Sequence, residues 1–386
     1  MLALIGGQIC LHAAMAGLRM SFPLLVLREA HAEWAVGLLL GLFALAPIGL
    51  ALAAGRLADR HGFHRPMRLA VLLTFAGGLL AVAATYAGRA AFPLLCMGAL
   101  CAGAGANTGL IAIQRTAGRG ARDATSLKRI FSWLGLAPAL SNLIGPVLAG
   151  TLIDLGGFRL AFVALLLLPL ASLWWARQVP VEVPDRGRRR PRSRETLALL
   201  KAPGMRRLLF VNWLLSSSWD VHAFVVPILG HERGFSASAI GMILGVFAGA
   251  VALIRVVIPA LAHRLRESTV LVGAMLVTAL VFAVYPFMRQ AVAMGACAVL
   301  LGVALGAVQP MIMTTLHQIT PSERHGEAIA LRSMTINLSS ALMPLAFGFG
   351  GALIGAGALF WVMAGVVGAG SYPARRVGES AASGPT

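Results

Sequence analysis

Apolar runs of about twenty residues recur along almost the whole chain, separated by short charged or turn-rich clusters. A helix that crosses the hydrocarbon core of a bilayer needs about 20 such residues. The runs predict twelve helices in two sets of six: 4–27, 35–54, 67–87, 91–114, 130–153 and 159–178, then 207–229, 237–258, 268–287, 291–314, 327–353 and 356–372. We therefore expect an all-α integral membrane protein.

The composition excludes the main soluble classes. The 386 residues are 58% hydrophobic and 12% charged, whereas soluble domains are roughly 45–50% apolar and about 25% charged. Intrinsic disorder is excluded too, because disordered chains lack apolar residues. A formal net charge of +18 would suit nucleic-acid binding only on a solvated basic face, and the apolar runs leave none, so no nucleic acid is expected as a partner.

One sustained polar stretch divides the two sets of helices. It contains prolines, among them Pro184 and Pro191, and a cluster of six arginines: Arg186, Arg188, Arg189, Arg190, Arg192 and Arg194. We interpret 1–178 as an N-terminal bundle, 179–206 as a basic linker, 207–372 as a C-terminal bundle and 373–386 as a tail. Membrane orientation and contact with anionic lipids explain these arginines more simply than a specific protein partner does.

The distribution of positive charge predicts the orientation. With the N-terminus inside, 24 of the 32 basic residues fall in cytoplasmic segments, in agreement with the positive-inside rule. We expect a protein of the cytoplasmic (inner) membrane with both termini in the cytoplasm. The first helix lacks a small-residue cleavage site and is interpreted as a retained span.

A motif follows the second helix, where residues 55–66 have the sequence GRLADRHGFHRP. It resembles the signature loop G-x-L-a-D-r-x-G-r-r of the major facilitator superfamily, with His64 and Arg65 in place of the final basic pair. The twelve runs, their 6+6 division and the basic linker extend the resemblance over the whole chain. It implies two pseudo-symmetric six-helix bundles that transport a small molecule by alternating access.

The resemblance also implies a role for Asp59. In that family the carboxylate of this loop docks on the other half and holds the cytoplasmic side closed; here the docking surface would lie near Glu323 to Glu327. The alternative is that Asp59 only caps a turn. The remaining residues assigned to this inner gate are Gly55, Leu57, Arg60, Gly62, Arg65 and Arg115.

A second, weaker resemblance lies in the fifth helix. Gly145 and Pro146 resemble the Gly-Pro motif of the drug/proton antiporters of the family, although the surrounding glycine spacing differs. This favours export. A helix kink with small-residue packing explains the same two residues equally well.

Asp220 is the acidic residue that lies well inside an apolar run, and intramembrane charges are functional candidates. Burial raises the pKa of a carboxyl group and a nearby cation lowers it, and competition between these effects lets a proton and a substrate exclude one another. His222 could assist, although residues two apart on a helix do not share a face.

Arg19 is the expected partner of Asp220. Counted back from the matching stretches that begin at Gly55 and Pro259, the two lie 36 and 39 residues away, which differ by about one helical turn. We hypothesise a pair that closes the outer gate or senses its closure; the alternative is a static buried pair that holds the halves together. Four further candidates for the proton or substrate pathway are Arg332, Arg255, Gln309 and Asn142. Such residues also commonly bridge helices, and Arg255 could snorkel to the surface.

We therefore expect a secondary transporter, with proton-coupled efflux as the leading hypothesis. A proton-coupled importer or uniporter of an anionic or neutral metabolite is the alternative, and an integral-membrane enzyme or sensor is a distant one. Three embedded arginines against one acid favour neutral, zwitterionic or anionic solutes over cations. The chain has no Walker A pattern, no cofactor or metal is expected, and we expect a monomer.

Overall fold

The computed structural model describes residues 2–29, 33–119, 124–181, 199–201, 204–261, 266–320 and 325–377, and no β-strand occurs among them. The N-terminal half begins with α1 (Leu2–Arg28), α2 (Glu33–His61), α3 (His64–Ala84) and α4 (Ala91–Arg119). The next helical stretch, Ala124–Ala176, is broken at Gly156 and Gly157, which have non-helical backbone angles. We call its two parts α5 (124–155) and α6 (158–176).

The C-terminal half contains the other six helices: α7 (Met205–Glu232), α8 (Ala237–Leu261), α9 (Glu267–Val284), α10 (Ala291–Gln318), α11 (His325–Ile354) and α12 (Ala356–Ala374). The predicted all-α architecture of twelve helices is confirmed. Of the predicted linker and tail, residues 182–198, 202–203 and 378–386 lie outside the described residues.

Nine helical segments of the described chain are long and apolar enough to cross a membrane, with α5 and α6 counted as one. In α2 the apolar segment found among the described residues is the shorter Trp34–Ile48. The helix α7 is absent from this set because it carries polar residues, among them Asn212, Asp220 and His222. The most polar helix is thus the one that holds the intramembrane acid.

Because successive spans alternate in direction, the helix ends gather at two levels. We call one the linker end; there α2 meets α3, α6 ends and α7 begins. We call the other the far end; there α1 meets α2, α5 meets α6, α7 meets α8, and α11 meets α12.

The motif at the end of α2 differs from the expected loop. Helix α2 continues to His61 and α3 begins at His64, so most of the motif is helical. The helix ends at Gly62, whose φ of 68° is left-handed and whose N–H donates to the carbonyl oxygen of Ala58 at 2.9 Å. Alanine, leucine and arginine favour helix, and the chain turns only where glycine permits a positive φ.

The two halves meet along α5 and α8. The separation between these two helices increases from the far end towards the linker end. A Cβ built on Gly150 would overlap the carbonyl oxygen of Ala237, and one on Gly241 would overlap that of Pro146. Nearer the linker end, a Cβ on Gly249 would lie 4.0 Å from Leu143 Cδ1, and one on Gly135 meets nothing within 4 Å.

The separation between α2 and α11 increases in the same direction. A Cβ on Gly37 would overlap the carbonyl oxygen of Pro344, and one on Gly41 would lie 3.1 Å from Leu345 Cγ. One turn further on, Leu45 is 54% exposed, and so is Leu338 on α11. The described halves therefore close against each other at the far end and separate towards the linker end.

Candidate proton and substrate site

Asp220 lies where α1, α7 and α11 meet, at the junction of the two halves. Its side chain is 4% exposed, and Arg19 Nη2 on α1 lies 3.7 Å from its Oδ1. Two hydroxyl groups of α11 donate to the same carboxylate. Ser340 lies 3.3 Å from Oδ1 and 3.4 Å from Oδ2, and Ser339 lies 3.3 Å from Oδ2. The carboxylate is thus held by one cation from the N-terminal half and two serines from its own half.

The serine contacts extend along α7. The hydroxyl of Ser217 lies 3.0 Å from that of Ser339 and also donates to the carbonyl oxygen of Trp213. Ser340 did not emerge from the sequence as a site residue. Two sequence features could have indicated it: the adjacent serines of α11 and the serine run 216–218 of α7. Whether these serines face each other depends on the rotation of each helix about its axis, which hydropathy does not reveal.

Arg19 retains unused hydrogen-bonding capacity. Its Nε and Nη2 atoms are buried and have no hydrogen-bond partner among the described residues, because 3.7 Å is too long for a hydrogen bond to Asp220. A buried donor without a partner is unfavourable by about 1–3 kcal/mol. An acceptor on a bound solute would satisfy these donors, so the arrangement suits a solute with a carboxylate, phosphate or carbonyl oxygen.

His222 lies on another face of α7. Its ring centroid is 4.5 Å from that of Phe247 and 5.8 Å from that of Tyr285. The residue is 1% exposed, and neither ring nitrogen has a hydrogen-bond partner among the described residues. The structure therefore does not bring His222 to Asp220.

The other two embedded arginines lie closer to the linker end. Arg255 Nη2 donates to Gln309 Oε1 at 2.8 Å, and its Nη1 reaches the carbonyl oxygen of Gly135 on the opposite half at 3.3 Å. Arg332 Nε donates to Asn212 Oδ1 at 3.1 Å. Asn212 lies eight residues before Asp220, about 12 Å along α7. Positive charge thus continues from Arg19 towards the open end.

The remaining predicted site residues are Asn142 and those of the motif and inner gate. Asn142 donates to the carbonyl oxygen of Pro138 in its own helix. The expected docking contact of Asp59 lies outside the part of the chain that the structure describes. It would involve the side chains of Asp59 and Glu327 and the whole of Glu323, none of which is described. The other motif residues lie on α2 (Gly55, Leu57, Arg60), in the turn (Gly62), on α3 (Arg65) and on α4 (Arg115).

Asp154 joins the two halves at the far end, a contact that the sequence did not reveal. Its carboxylate accepts hydrogen bonds from the backbone N–H groups of Ala237 (3.0 Å) and Ser238 (2.7 Å), at the first turn of α8. That turn contains no acidic residue of its own. A carboxylate at a helix N-terminus satisfies free N–H groups and opposes the positive end of the helix dipole, so Asp154 caps α8 from the other half.

The sequence profile of the Major Facilitator Superfamily matches residues 4–211 and 208–381. The chain belongs to the major facilitator superfamily. The protein is accordingly an integral membrane transporter and not an enzyme. Among curated proteins, none matches the chain in sequence.

Solved transporters share the fold of this superfamily member at low identity. The nucleoside transporter NupG, in a mutant form, superimposes with a TM-score of 0.77 at 13% identity, covering 97% of this chain and 99% of that chain. A D-xylose-proton symporter superimposes with a TM-score of 0.75 at 14% identity, covering 97% of this chain and 96% of that chain. The human organic anion transporter MFSD10 superimposes with a TM-score of 0.68 at 18% identity, covering 97% of this chain and 98% of that chain. These likenesses show the fold alone.

In a transporter of this superfamily the far end must open during the cycle, and Asp154→Asn is expected to favour that opening. A charge at a helix N-terminus contributes about 0.3–1 kcal/mol, so the open population should rise about two- to fivefold. The measurement is the distance between spin labels at Ala90→Cys and Val292→Cys, both exposed at the far end, after replacement of the four native cysteines.

The matched control for Asp154→Asn is Glu232→Gln, which removes an exposed acid at the same end of the bundle. The Glu232 variant should leave the distance distribution unchanged. Equal shifts in the two variants would mean that the overall charge of the far end, and not the cap on α8, sets the equilibrium.

Proposed function

We propose that the protein is a proton-coupled secondary transporter of a small anionic, zwitterionic or neutral solute. The observation that carries the proposal is the Arg19–Asp220 pair. A buried carboxylate of one half lies beside a guanidinium of the other half, two of whose nitrogen atoms have no hydrogen-bond partner among the described residues. The pair lies at the junction of the halves, where this class of transporter binds its solute.

The pair supports a simple coupling scheme. When Asp220 is ionised, it attracts Arg19 and competes with an anionic solute for it. Protonation of Asp220 removes that attraction and leaves Arg19 to an acceptor of the solute. Proton and solute then bind to the same state, which favours cotransport of both in one direction.

Proton-coupled efflux is the second candidate, and it rests on the Gly145-Pro146 sequence. A Cβ on Gly145 would overlap the carbonyl oxygen of Ala13 and lie 2.8 Å from Gly17 N on α1. Close packing of α5 on α1 already explains this glycine. The Gly-Pro sequence thus adds little support for efflux. The unpartnered donors of Arg19 favour cotransport over exchange with protons, because they become available to the solute when Asp220 is protonated.

Charge also supports an orientation for the proposal. With the linker end in the cytoplasm, 24 of the 32 basic residues are cytoplasmic, as the positive-inside rule favours. We place the protein as a monomer in the cytoplasmic (inner) membrane with both termini inside. The state described above, closed at the far end, would then be open to the cytoplasm.

The proposal is tested in proteoliposomes that enclose a pH-sensitive dye, with solutes of different chemical classes added outside. Inward solute flux should acidify the lumen if proton and solute move together and make it alkaline if they exchange. This sign is independent of the orientation of the protein in the vesicle. Carboxylate-bearing solutes are expected to give acidification. Solute flux without any proton movement would show a uniporter and contradict the proposal.

A further inference from the structure

A groove lies between α3 and α6 on the N-terminal half, near the linker end. Its volume is about 480 Å³, and both helices that line it belong to the same half. The Asp220 site lies instead at the junction of α1, α7 and α11. The groove is therefore separate from the solute site.

The groove is polar at one end and apolar along its length. Arg68 and Arg177 lie at its linker end, and both are exposed. Phe75 lies seven residues beyond Arg68 on α3, and Leu170 lies seven residues before Arg177 on α6, each about 10 Å deeper. The two helices run in opposite directions, so both apolar walls extend from the arginines into the membrane.

The mouth of the groove is held in shape by His64. Its Nε2 lies 3.2 Å from the carbonyl oxygen of Ala176, and a carbonyl oxygen only accepts, so the histidine donates. This hydrogen bond joins the start of α3 to the end of α6. Arg68 and Arg177 are thereby positioned on facing sides of one opening.

The mouth also lies at the level of a membrane interface. Trp174, one turn before Arg177, is 57% exposed, and exposed tryptophans of membrane proteins concentrate at the headgroup level. Deeper in the groove, Leu72 is 65% exposed, as expected of a residue in contact with acyl chains. None of the described residues that line the groove is acidic, so nothing within it neutralises the two guanidinium groups.

We propose that this groove binds one anionic phospholipid. The phosphate accepts hydrogen bonds from Arg68 and Arg177, whose guanidinium groups suit phosphate oxygens. One acyl chain follows the apolar wall past Leu72 to Phe75. The linker end carries most of the positive charge of the chain, which draws anionic lipid to this surface.

Other occupants fit the groove less well. A free phosphate would bind the two arginines but would leave the apolar wall without an apolar partner. A second copy docked symmetrically on the groove would bring the exposed Arg68 and Arg177 of both copies together, and their charges would repel. A phospholipid matches both parts at once.

Lipid retention measured by native mass spectrometry tests the proposal. The purified full chain is incubated with phosphatidylglycerol or with phosphatidylcholine of the same acyl chains. We expect one tightly held phosphatidylglycerol on the wild type and about thirtyfold weaker retention in the Arg68→Gln/Arg177→Gln variant. The matched control, Arg206→Gln/Arg375→Gln, removes two exposed arginines of the linker end outside the groove and should retain lipid as the wild type does.

A second variant tests the apolar wall. Leu72→Trp adds bulk at an exposed position, fills the groove and leaves both arginines in place, so it too should lose the lipid. Size-exclusion profiles and thermal unfolding confirm that each variant is folded. Equal retention of the two lipids, or equal loss in the groove and control variants, would overturn the proposal. Competition by glycerol phosphate alone, or a wild-type dimer that the groove variant abolishes, would overturn it as well.

Discussion

Replacement of Asp220 with asparagine is expected to abolish proton movement coupled to solute flux, down to the level of protein-free vesicles. Asparagine has nearly the same shape, and with its oxygen at the Oδ2 position it accepts hydrogen bonds from both Ser339 and Ser340, but it cannot carry a proton or a charge at neutral pH. Solute exchange between the two sides should continue, because exchange requires the solute site and not net proton transfer. The dye-loaded proteoliposomes measure the first quantity, and labelled-solute exchange measures the second.

Two further variants separate the proton role from a structural one. Ser217→Ala removes a hydroxyl that contacts Ser339 but not the carboxylate, so it should keep coupled proton flux. If the pair only held the halves together, Asp220→Asn combined with Arg19→Gln would transport like the wild type, since no charge would remain unpaired. Undiminished coupled proton flux in Asp220→Asn or in Arg19→Ala would contradict the proposed role of the pair.

The helices were largely predictable from sequence because lipid demands long apolar segments. The run 237–258, for example, corresponds to α8 at Ala237–Leu261. The motif of residues 55–66 was expected to be a loop, and this was wrong for most of its length. Its charged residues mark the membrane boundary but not the end of the helix, which continues through Arg60 until Gly62 adopts a positive φ.

The site was less accessible to sequence reasoning. Internal symmetry placed Arg19 and Asp220 at similar depths, and the structure has them 3.7 Å apart. Depth alone, however, does not give the rotation of a helix about its axis. Ser340 and Asp154 were missed for that reason: each acts through a contact with another helix, and for Asp154 that helix belongs to the other half.

The packing of α5 against α8 gives a second large expected effect. Gly241→Ala should drive the protein away from the state that is closed at the far end, because the new methyl group would overlap the carbonyl oxygen of Pro146. Overpacking of this kind is unfavourable by about 1–3 kcal/mol, so the ratio of the closed to the open state should fall by about fivefold to a hundredfold. The distance between labels at positions 90 and 292 should lengthen accordingly.

Gly135→Ala provides the matched control on the same pair of helices. A Cβ there meets nothing within 4 Å, and the intrinsic gain of alanine over glycine in a helix is the same at both positions. This variant should leave the distance distribution as in the wild type. If both variants behaved alike, helix propensity and not the contact of α5 with α8 would be responsible. Since Gly241 and Asp154 act on one contact, we expect Gly241→Ala with Asp154→Asn to shift the equilibrium by less than the sum of the two single effects.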